Sequence, residues 1–472
     1  MQALDAVQIA AWAKGRWFRA PAPACVQGIC MDSRSVKPGD MFIALRTGKR
    51  DGHEFLQMAE SNGAAAALVE RESMATGLPQ LIVSDTLEAL HLIASGIRTQ
   101  FKGRIAAITG SCGKTSTKNL LALLLGEGVL ATEGNLNNYI GMPLTLCRLR
   151  AGHRAAVVEL GISLKGEMEP LARILRPDLA IVTSVAPAHL EGMGSLAGVA
   201  EEKAALPGVM GRNGYAYFPA YCLQWEPYRE LRCKVRVTAS MDEDTPELPG
   251  ANYSLVRYQT FHSPDAGRSD MLLYRGGEEN FCRFTLPRLS LGMRSNAALA
   301  LSVALDMGES EEALRERLPL WKPASMRGEI RSLGAVDYCV DCYNANPASM
   351  LDSVRLFRES YPRGPRLFLF GSMNELGVEA AALHWKLGRE IGAEAQDRFC
   401  LVGPHAQALC GGLLEAGVLA RSICVAASMD EARAVLDTFR QGSGAALIKG
   451  SRSYQLEELL PPELSQQASH QC

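Results

Sequence analysis

The sequence predicts an α/β protein of three domains, and three observations carry that prediction. The chain has 472 residues, whereas a single hydrophobic core stops growing beyond roughly 250 to 300 residues. A short apolar run, RIAAITG at 104–110, passes through a glycine-containing turn into the helix-forming TKNLLALLL at 117–125, which reads as strand, loop and helix. The alternation then recurs in RAAVVELG, GEMEPLARIL and PDLAIVTSV between 154 and 185, the rhythm of βαβ units around a parallel sheet.

Taken in order, residues 1–98 mix short apolar runs with turn residues: DSRSVKPGDMFIAL at 32–45, GAAAALVE at 63–70 and LPQLIVSD at 78–85. They read as a small α/β module. Residues 99–312 form the central parallel-sheet domain. Within it the stretch from about 215 to 285 turns polar and β-rich, and an antiparallel excursion is expected there. A third domain at 313–472 resumes the α/β rhythm through RSLGAVDYCVD at 331–341, RLFLFGSM at 366–373 and AALIKGS at 445–451.

Hydrophobic residues make up 47% of the chain and charged residues 21%, with a formal net charge of −2. That balance is globular, and it offers no general attraction to nucleic acid or to anionic lipid. The cysteines number 13, an odd count without framework spacing, so reduced thiols are expected rather than disulfides. Cys339 and Cys342 have CxxC spacing but no second pair and no nearby histidine, which favours coincidence over metal or redox chemistry. The first twenty residues carry charges at Asp5, Lys14 and Arg16 and lack a long apolar core, and no later run reaches transmembrane length. A cytoplasmic protein is expected.

Chemistry concentrates first at Gly110, Ser111, Cys112, Gly113, Lys114 and Thr115, the loop GSCGKT, followed by Ser116. Between a strand and a helix, the glycines let backbone N–H groups approach phosphate oxygens and the helix N-terminus adds positive potential. Lys114 can neutralise phosphate charge and Thr115 can ligate Mg2+. The spacing is shorter than the full P-loop, whose first glycine would fall at Ala107. Glu159 ends the apolar run AAVVEL, where a carboxylate at a strand's carboxyl end faces the ligand crevice of an open sheet. His189 and Lys203, taken alone, read as surface or packing residues.

The order of phosphate loop, acid, histidine and lysine at these separations resembles the central domain of the Mur ligases, and the short loop preceded by Thr109 is similar to that of Mur ligases and folylpolyglutamate synthetases. The resemblance implies that Thr115 and Glu159 serve one Mg2+, and that His189 and a carbamylated Lys203 serve a second. DSRSVKPGDMFIAL and GKRDGHEF look like the uridine nucleotide-binding domain of the family, in which Ser33, Arg34, Asp51, Gly52 and His53 would hold the UDP end. TEGNLNNYIGMPLTL at 132–146, DCYNANPASM at 341–350, GSMNELG at 371–377 and KGSRS at 449–453 are similar to the dipeptide-adding branch, and the DNPR motif of the diaminopimelate-adding branch is absent. By the same likeness Asn296 contacts adenine, Arg327 reaches the nucleotide phosphates and Asp341 the ribose or adenine, while Tyr343, Asn344 and Asn346 lie on the acceptor side.

What the resemblance implies is a small N-terminal UDP-binding domain, a central P-loop ATPase domain, and a C-terminal Rossmann-like domain that binds the acceptor and closes on ATP. The implied reaction joins D-alanyl-D-alanine to a UDP-linked muramoyl tripeptide through an acyl phosphate, using ATP and Mg2+, in a monomer that binds neither nucleic acid nor membrane. The chain departs from the family pattern at Ser116, where threonine is usual, and at Ser163 and Leu164, where Asn-His is usual. It departs again in LSLGMRSN, which lacks a His-Asn pair before Asn296, and at Ser372, which replaces an aspartate. Two alternatives stand beside the main reading: a related ligase with another amino-acid acceptor, and a non-catalytic nucleotide-binding homologue. The retained Lys114, Thr115, Glu159, His189 and Lys203 argue against the second.

Overall fold

Arg104–Thr109 is apolar through its interior because it lies in the middle of a sheet covered on both faces, the situation in which a strand reads as a continuous hydrophobic run. The computed structural model describes residues 3–18, 21–48, 50–262, 267–277 and 279–465, so the outermost residues of the expected first and third domains lie outside it. Arg104–Thr109 pairs in parallel with Ala155–Glu159 on one side and Leu179–Val182 on the other. Val129–Ala131 closes that edge, and the sheet continues through Tyr215–Pro219, Lys234–Ser240, Tyr253–His262, Arg268–Arg275 and Phe281–Pro287. The helices Lys114–Leu125 and Leu291–Asp306 pack together on one face, where Leu120, Leu121, Leu124 and Leu125 meet the buried run 297–304.

The expected antiparallel excursion is corrected in part. Tyr215–Pro219, Lys234–Ser240 and Tyr253–His262 extend the sheet in parallel, and only the last two strands are antiparallel. Alternating burial, as in Lys234–Ser240, looks the same in either direction. Direction is set by the connection, and here the 3-10 turns Ala220–Gln224 and Glu226–Tyr228 take the place of a crossover helix.

The first unit is a sheet of Arg16–Phe18, Gln80–Ile82, Ala66–Val69, Met41–Ile43 and Ile29–Cys30 in spatial order, parallel except where Arg16–Phe18 pairs. The last unit holds six strands ordered Glu329–Leu333, Val336–Val340, Gly444–Lys449, Arg366–Gly371, Asp397–Val402 and Ile423–Ala426. Its first pair is a hairpin turning at Gly334, so the apolar stretch 331–341 is two strands rather than one. Helix Glu311–Arg317 packs against Lys114–Leu125, and Arg317 donates to the Leu124 carbonyl at that helix's end. It therefore packs with the central sheet, and the join to the last unit falls later than residue 313, before the turn at Met326 that bonds to Val340 and Tyr343. Among the described residues no helix is long and apolar enough to cross a membrane.

The last unit touches the central one through a shared apolar cluster and through specific polar contacts. The Asp352 carboxylate accepts from Ser290 Oγ at 2.6 Å and from the Gly292 N–H at 3.2 Å, satisfying the start of the helix that carries Asn296. Within the last unit, Arg366 is fully buried and its Nε donates to Asp397 at 2.6 Å, while Arg358 donates to the other Asp397 oxygen at 2.6 Å. Removing one partner of such a cluster strands a buried charge. Arg366→Met is expected to destabilise this unit by about 3 kcal/mol, the low end for a broken buried pair because Arg358 still faces Asp397. A urea titration followed by circular dichroism checks the shift.

Candidate active site

The phosphate loop is shaped by two glycines in the left-handed region. Gly110 has φ +151° and a Cβ there would strike Thr183 Oγ1; Gly113 has φ +79° and a Cβ would lie 2.1 Å from Asn296 Nδ2. The loop is pinned to the end of the neighbouring strand: the Ser111 N–H donates to the Ser184 carbonyl at 2.9 Å, and the Cys112 N–H to Ser184 Oγ at 2.8 Å. Ser111 Oγ bridges the backbone of Ala186. Helix Lys114–Leu125 then starts with no side-chain cap, so its first N–H groups face the loop's concavity with the positive end of the helix dipole behind them. Lys114 Nζ donates to the Gly110 carbonyl at 2.7 Å, and burial pushes its ammonium below the ordinary lysine range, opposed by Glu159.

Glu159 is buried to 2% exposure at the carboxyl end of its strand. Asn137 Nδ2 donates to its Oε1 at 2.8 Å, whereas its Oε2 has no hydrogen-bond partner among the described residues. An unpaired, buried carboxylate oxygen is costly unless something cationic completes it. Sequence reading missed Lys118, one helical turn after Lys114 and on the same face. Its Nζ donates to the Thr132 carbonyl at 2.6 Å, and its charge faces Glu159. Thr132 Oγ1 accepts the Glu159 N–H at 3.0 Å, so Lys118 ties down the segment that leads to Asn137. The i, i+4 spacing of two lysines was the available signal.

Lys203 is 2% exposed on the helix Leu196–Gly208. Burial, reinforced by Lys114, pulls its amine down to about 7. Its neighbour Glu202 is occupied, accepting the N–H groups of Gly166 and Met168. His189 has φ +54° and its Nδ1 pairs with Glu375, itself at φ +63° on the last unit; His189 and burial hold the Glu375 carboxyl in a tug between lowering and raising, with the histidine winning. Two non-glycine residues in the left-handed region, joined across a domain boundary, mark a strained contact of the kind that clusters at functional sites. Among the described residues no cluster of three or more His, Cys, Asp or Glu side chains is close enough to hold a metal. The donors that fit Mg2+ are instead the hard oxygens of Thr115 and the orphaned Glu159 Oε2, with Lys203 supplying a further oxygen pair only as a carbamate.

The last unit contributes Arg327, whose guanidinium lies 4.1 Å from the centre of the Tyr343 ring and whose charge is felt at Lys114 and Lys118. Asp341 is committed to Lys449 and Ser353, both at 2.6 Å. Asn346 caps the helix Pro347–Ser360 and its Nδ2 lies 2.9 Å from Cys112 Sγ, while Asn344 accepts the N–H of Ala345. Asn296 is buried against Gly113 with its Oδ1 unpartnered among the described residues, which sets it at the floor of the phosphate loop. In the first unit, His53 Nε2 accepts the Glu70 N–H at 3.0 Å, which leaves Nδ1 as the protonated nitrogen toward Asp51 at 2.6 Å. Both ring nitrogens are therefore used within that unit, and Arg71 holds the Asp51 carboxyl well below its usual range. Gly52 fits because the backbone of Ala44 and Leu45 leaves no room for a Cβ. Ser33 is buried near Met58, and Arg34 is exposed and paired with Asp32.

Three domain families match the chain: Mur ligase family, catalytic domain, over residues 26–98; Mur ligase middle domain over 108–274; and Mur ligase, glutamate ligase domain over 326–452. The UDP-N-acetylmuramoyl-tripeptide–D-alanyl-D-alanine ligase of Escherichia coli is 33% identical over 448 residues, covering 93% of this chain and 94% of that one. The chain belongs to the Mur ligase family. The ligase of the same name from Treponema pallidum is 31% identical over 92% of this chain and 93% of its own. Among solved structures, MurF from Acinetobacter baumannii superimposes with a TM-score of 0.85 at 27% identity over 99% of both chains. MurF from Thermotoga maritima in complex with ADP shares the fold at a TM-score of 0.75 and 23% identity, over 93% of this chain and 97% of its own.

The geometry of this Mur ligase loop makes Gly113 indispensable. Gly113→Ala combines a left-handed backbone, which costs an L-residue about 1–2 kcal/mol, with a collision against Asn296. Affinity for a non-hydrolysable ATP analogue, measured by calorimetry, is expected to fall at least tenfold.

Proposed function

We infer that this chain joins D-alanyl-D-alanine to the terminal carboxylate of UDP-N-acetylmuramoyl-tripeptide, with ATP converted to ADP and phosphate, as a cytoplasmic step of peptidoglycan precursor synthesis. The observation that carries the reading is the convergence of Lys114, Lys118, Glu159, Lys203, His189 and, from the last unit, Arg327 and Glu375 on one phosphate loop. Near full-length likeness to ligases of that name supports the choice of substrates.

A carboxylate is a poor electrophile, and ATP supplies the phosphoryl group that turns it into an acyl phosphate open to attack by the dipeptide's amine. Mg2+ bound by Thr115 and Glu159, and by His189 with a carbamylated Lys203, would offset phosphate charge. The protein's own part is positioning and electrostatics. The loop N–H groups and Lys114 bind the phosphates, and Asn137 and Lys118 orient and balance Glu159. Arg327 adds charge from the side of the last unit, whose docking on the central sheet excludes water. The first unit holds the UDP end, with Asp51 and His53 shaping the turn that carries Gly52 and with the exposed Arg34, held by Asp32, on the same unit. Gly110, Ser111, Cys112, Gly113, Thr115, Ser116 and Asn296 line or support the nucleotide site. The cytoplasmic assignment rests on the substrates, and the protein acts as a monomer.

One observation favours a second reading, a different amino-acid acceptor. The loop carrying Ser163 and the exposed Leu164 abuts Gly192, a turn from His189, so the altered pair lies beside the crevice. Phosphate release with UDP-muramoyl-tripeptide and a panel of D-alanyl-D-alanine and single amino acids tests both. Stimulation by the dipeptide is expected, and Lys114→Ala should lower kcat by roughly 10² or more, the scale of losing one preorganised charge.

Lys203 makes a separate prediction. Carbamate formation consumes the neutral amine, and an amine at about 7 rather than 10.5 is half neutral near pH 7. The carbamate is therefore expected to grow as pH rises through about 7 and to vanish as the amine protonates below it. Carbon-13 NMR with labelled bicarbonate should show this resonance in the parent and not in Lys203→Ala, and a short-chain carboxylic acid should restore part of that variant's turnover. Parent-like turnover without rescue would reject the carbamate.

A further inference from the structure

The last unit presents Arg327 toward the phosphate loop from a turn built for the purpose. The Arg327 N–H donates to the Ala324 carbonyl at 3.1 Å, Met326 takes φ +58°, and the Gly328 N–H donates to the Val340 carbonyl at 3.0 Å. The Tyr343 N–H donates to the Met326 carbonyl at 3.2 Å, binding the turn to the segment that leaves the strand Val336–Val340. Among the described residues the guanidinium has no ion-pair partner. Of the acids on the adjoining backbone, Glu329 pairs with Arg331 and accepts the Met326 N–H, and Asp341 accepts from Lys449 and Ser353 through its Oδ2. What holds Arg327 is the Tyr343 ring, 4.1 Å from ring centre to guanidinium carbon.

The choice of an aromatic partner has a physical consequence. A carboxylate would orient the guanidinium and neutralise it, whereas a ring face orients it by stacking and leaves its charge and its donors available. Among the described residues the Tyr343 hydroxyl makes no hydrogen bond, so the ring rather than the hydroxyl is engaged. We propose that Tyr343 is a positioning residue: its ring holds the Arg327 guanidinium facing the phosphate loop, so that the charge is already in place when the phosphoryl group moves. The likeness to relatives put Tyr343 on the acceptor side; the geometry gives it a different job. The inference rests on Arg327 serving the nucleotide phosphates, as set out under Proposed function.

The test is a double-mutant cycle over Tyr343→Leu, Tyr343→Phe and Arg327→Ala, read in two ways: steady-state phosphate release with both substrates, and calorimetric affinity for a non-hydrolysable ATP analogue. A cation–ring contact of about 1 kcal/mol corresponds to roughly fivefold. Tyr343→Leu is expected to lower kcat about fivefold with the dipeptide KM within twofold, and Tyr343→Phe to stay within twofold of the parent. In the Arg327→Ala background, Tyr343→Leu should add nothing to the loss in turnover or in analogue affinity. Tyr343→Met serves in place of Tyr343→Leu if the latter unfolds early in a thermal melt. Independent, multiplying losses would overturn the proposal, as would a large rise in dipeptide KM for Tyr343→Phe, which would return the hydroxyl to the acceptor. A parent enzyme without dipeptide-dependent turnover would instead strike the ligase reading, and the analogue affinities would still decide whether Tyr343 acts through Arg327.

Discussion

The crevice is organised by an imbalance of charge out of bulk water. Lys114 and Lys118 approach one buried carboxylate, Glu159, Lys203 lies within the field of Lys114, and Arg327 adds to the charge on the first two from the last unit. Buried cations are expensive unless partnered, and each lysine amine is pulled below its ordinary range by desolvation. Such an arrangement favours anions, because a triphosphate's charge offsets that of the buried lysines. The uncapped helix start and the two left-handed glycines add backbone donors to the same end.

Much of what acts in this crevice reaches it across a domain boundary by single side chains. Glu375 meets His189, Asn346 meets the Cys112 thiol, and Asp352 satisfies the start of the helix bearing Asn296. Contacts of this kind add directional polar links to an apolar cluster that runs from the central unit into the last one. A site assembled this way is complete only when the last unit is docked, which couples the presence of Arg327 to the exclusion of water.

The departures from the family pattern are absorbed locally. Ser372 is buried, donates to the Val402 carbonyl and accepts the His405 N–H, so a hydroxyl does there what the surrounding backbone requires without a charge. Gly292, in the segment that lacks the His-Asn pair, leaves no side chain between its N–H and Asp352; a Cβ there would lie 2.7 Å from that carboxylate.

The sequence by itself determined the strand–loop–helix at 104–125 and the parallel sheet around it, because these follow from local periodicity and from glycine's freedom at positive φ; it made Lys114 and Glu159 candidates by their places in that pattern, and His189 and Lys203 candidates by resemblance to the Mur ligases. Tertiary structure decided the rest. Whether Tyr253–His262 runs parallel, whether His53 bonds inside its own unit, which groups Asp341 bonds to, and which ring lies against Arg327 all depend on what lies opposite in space. A residue's type states what it can bond to, and only the fold states what is within reach.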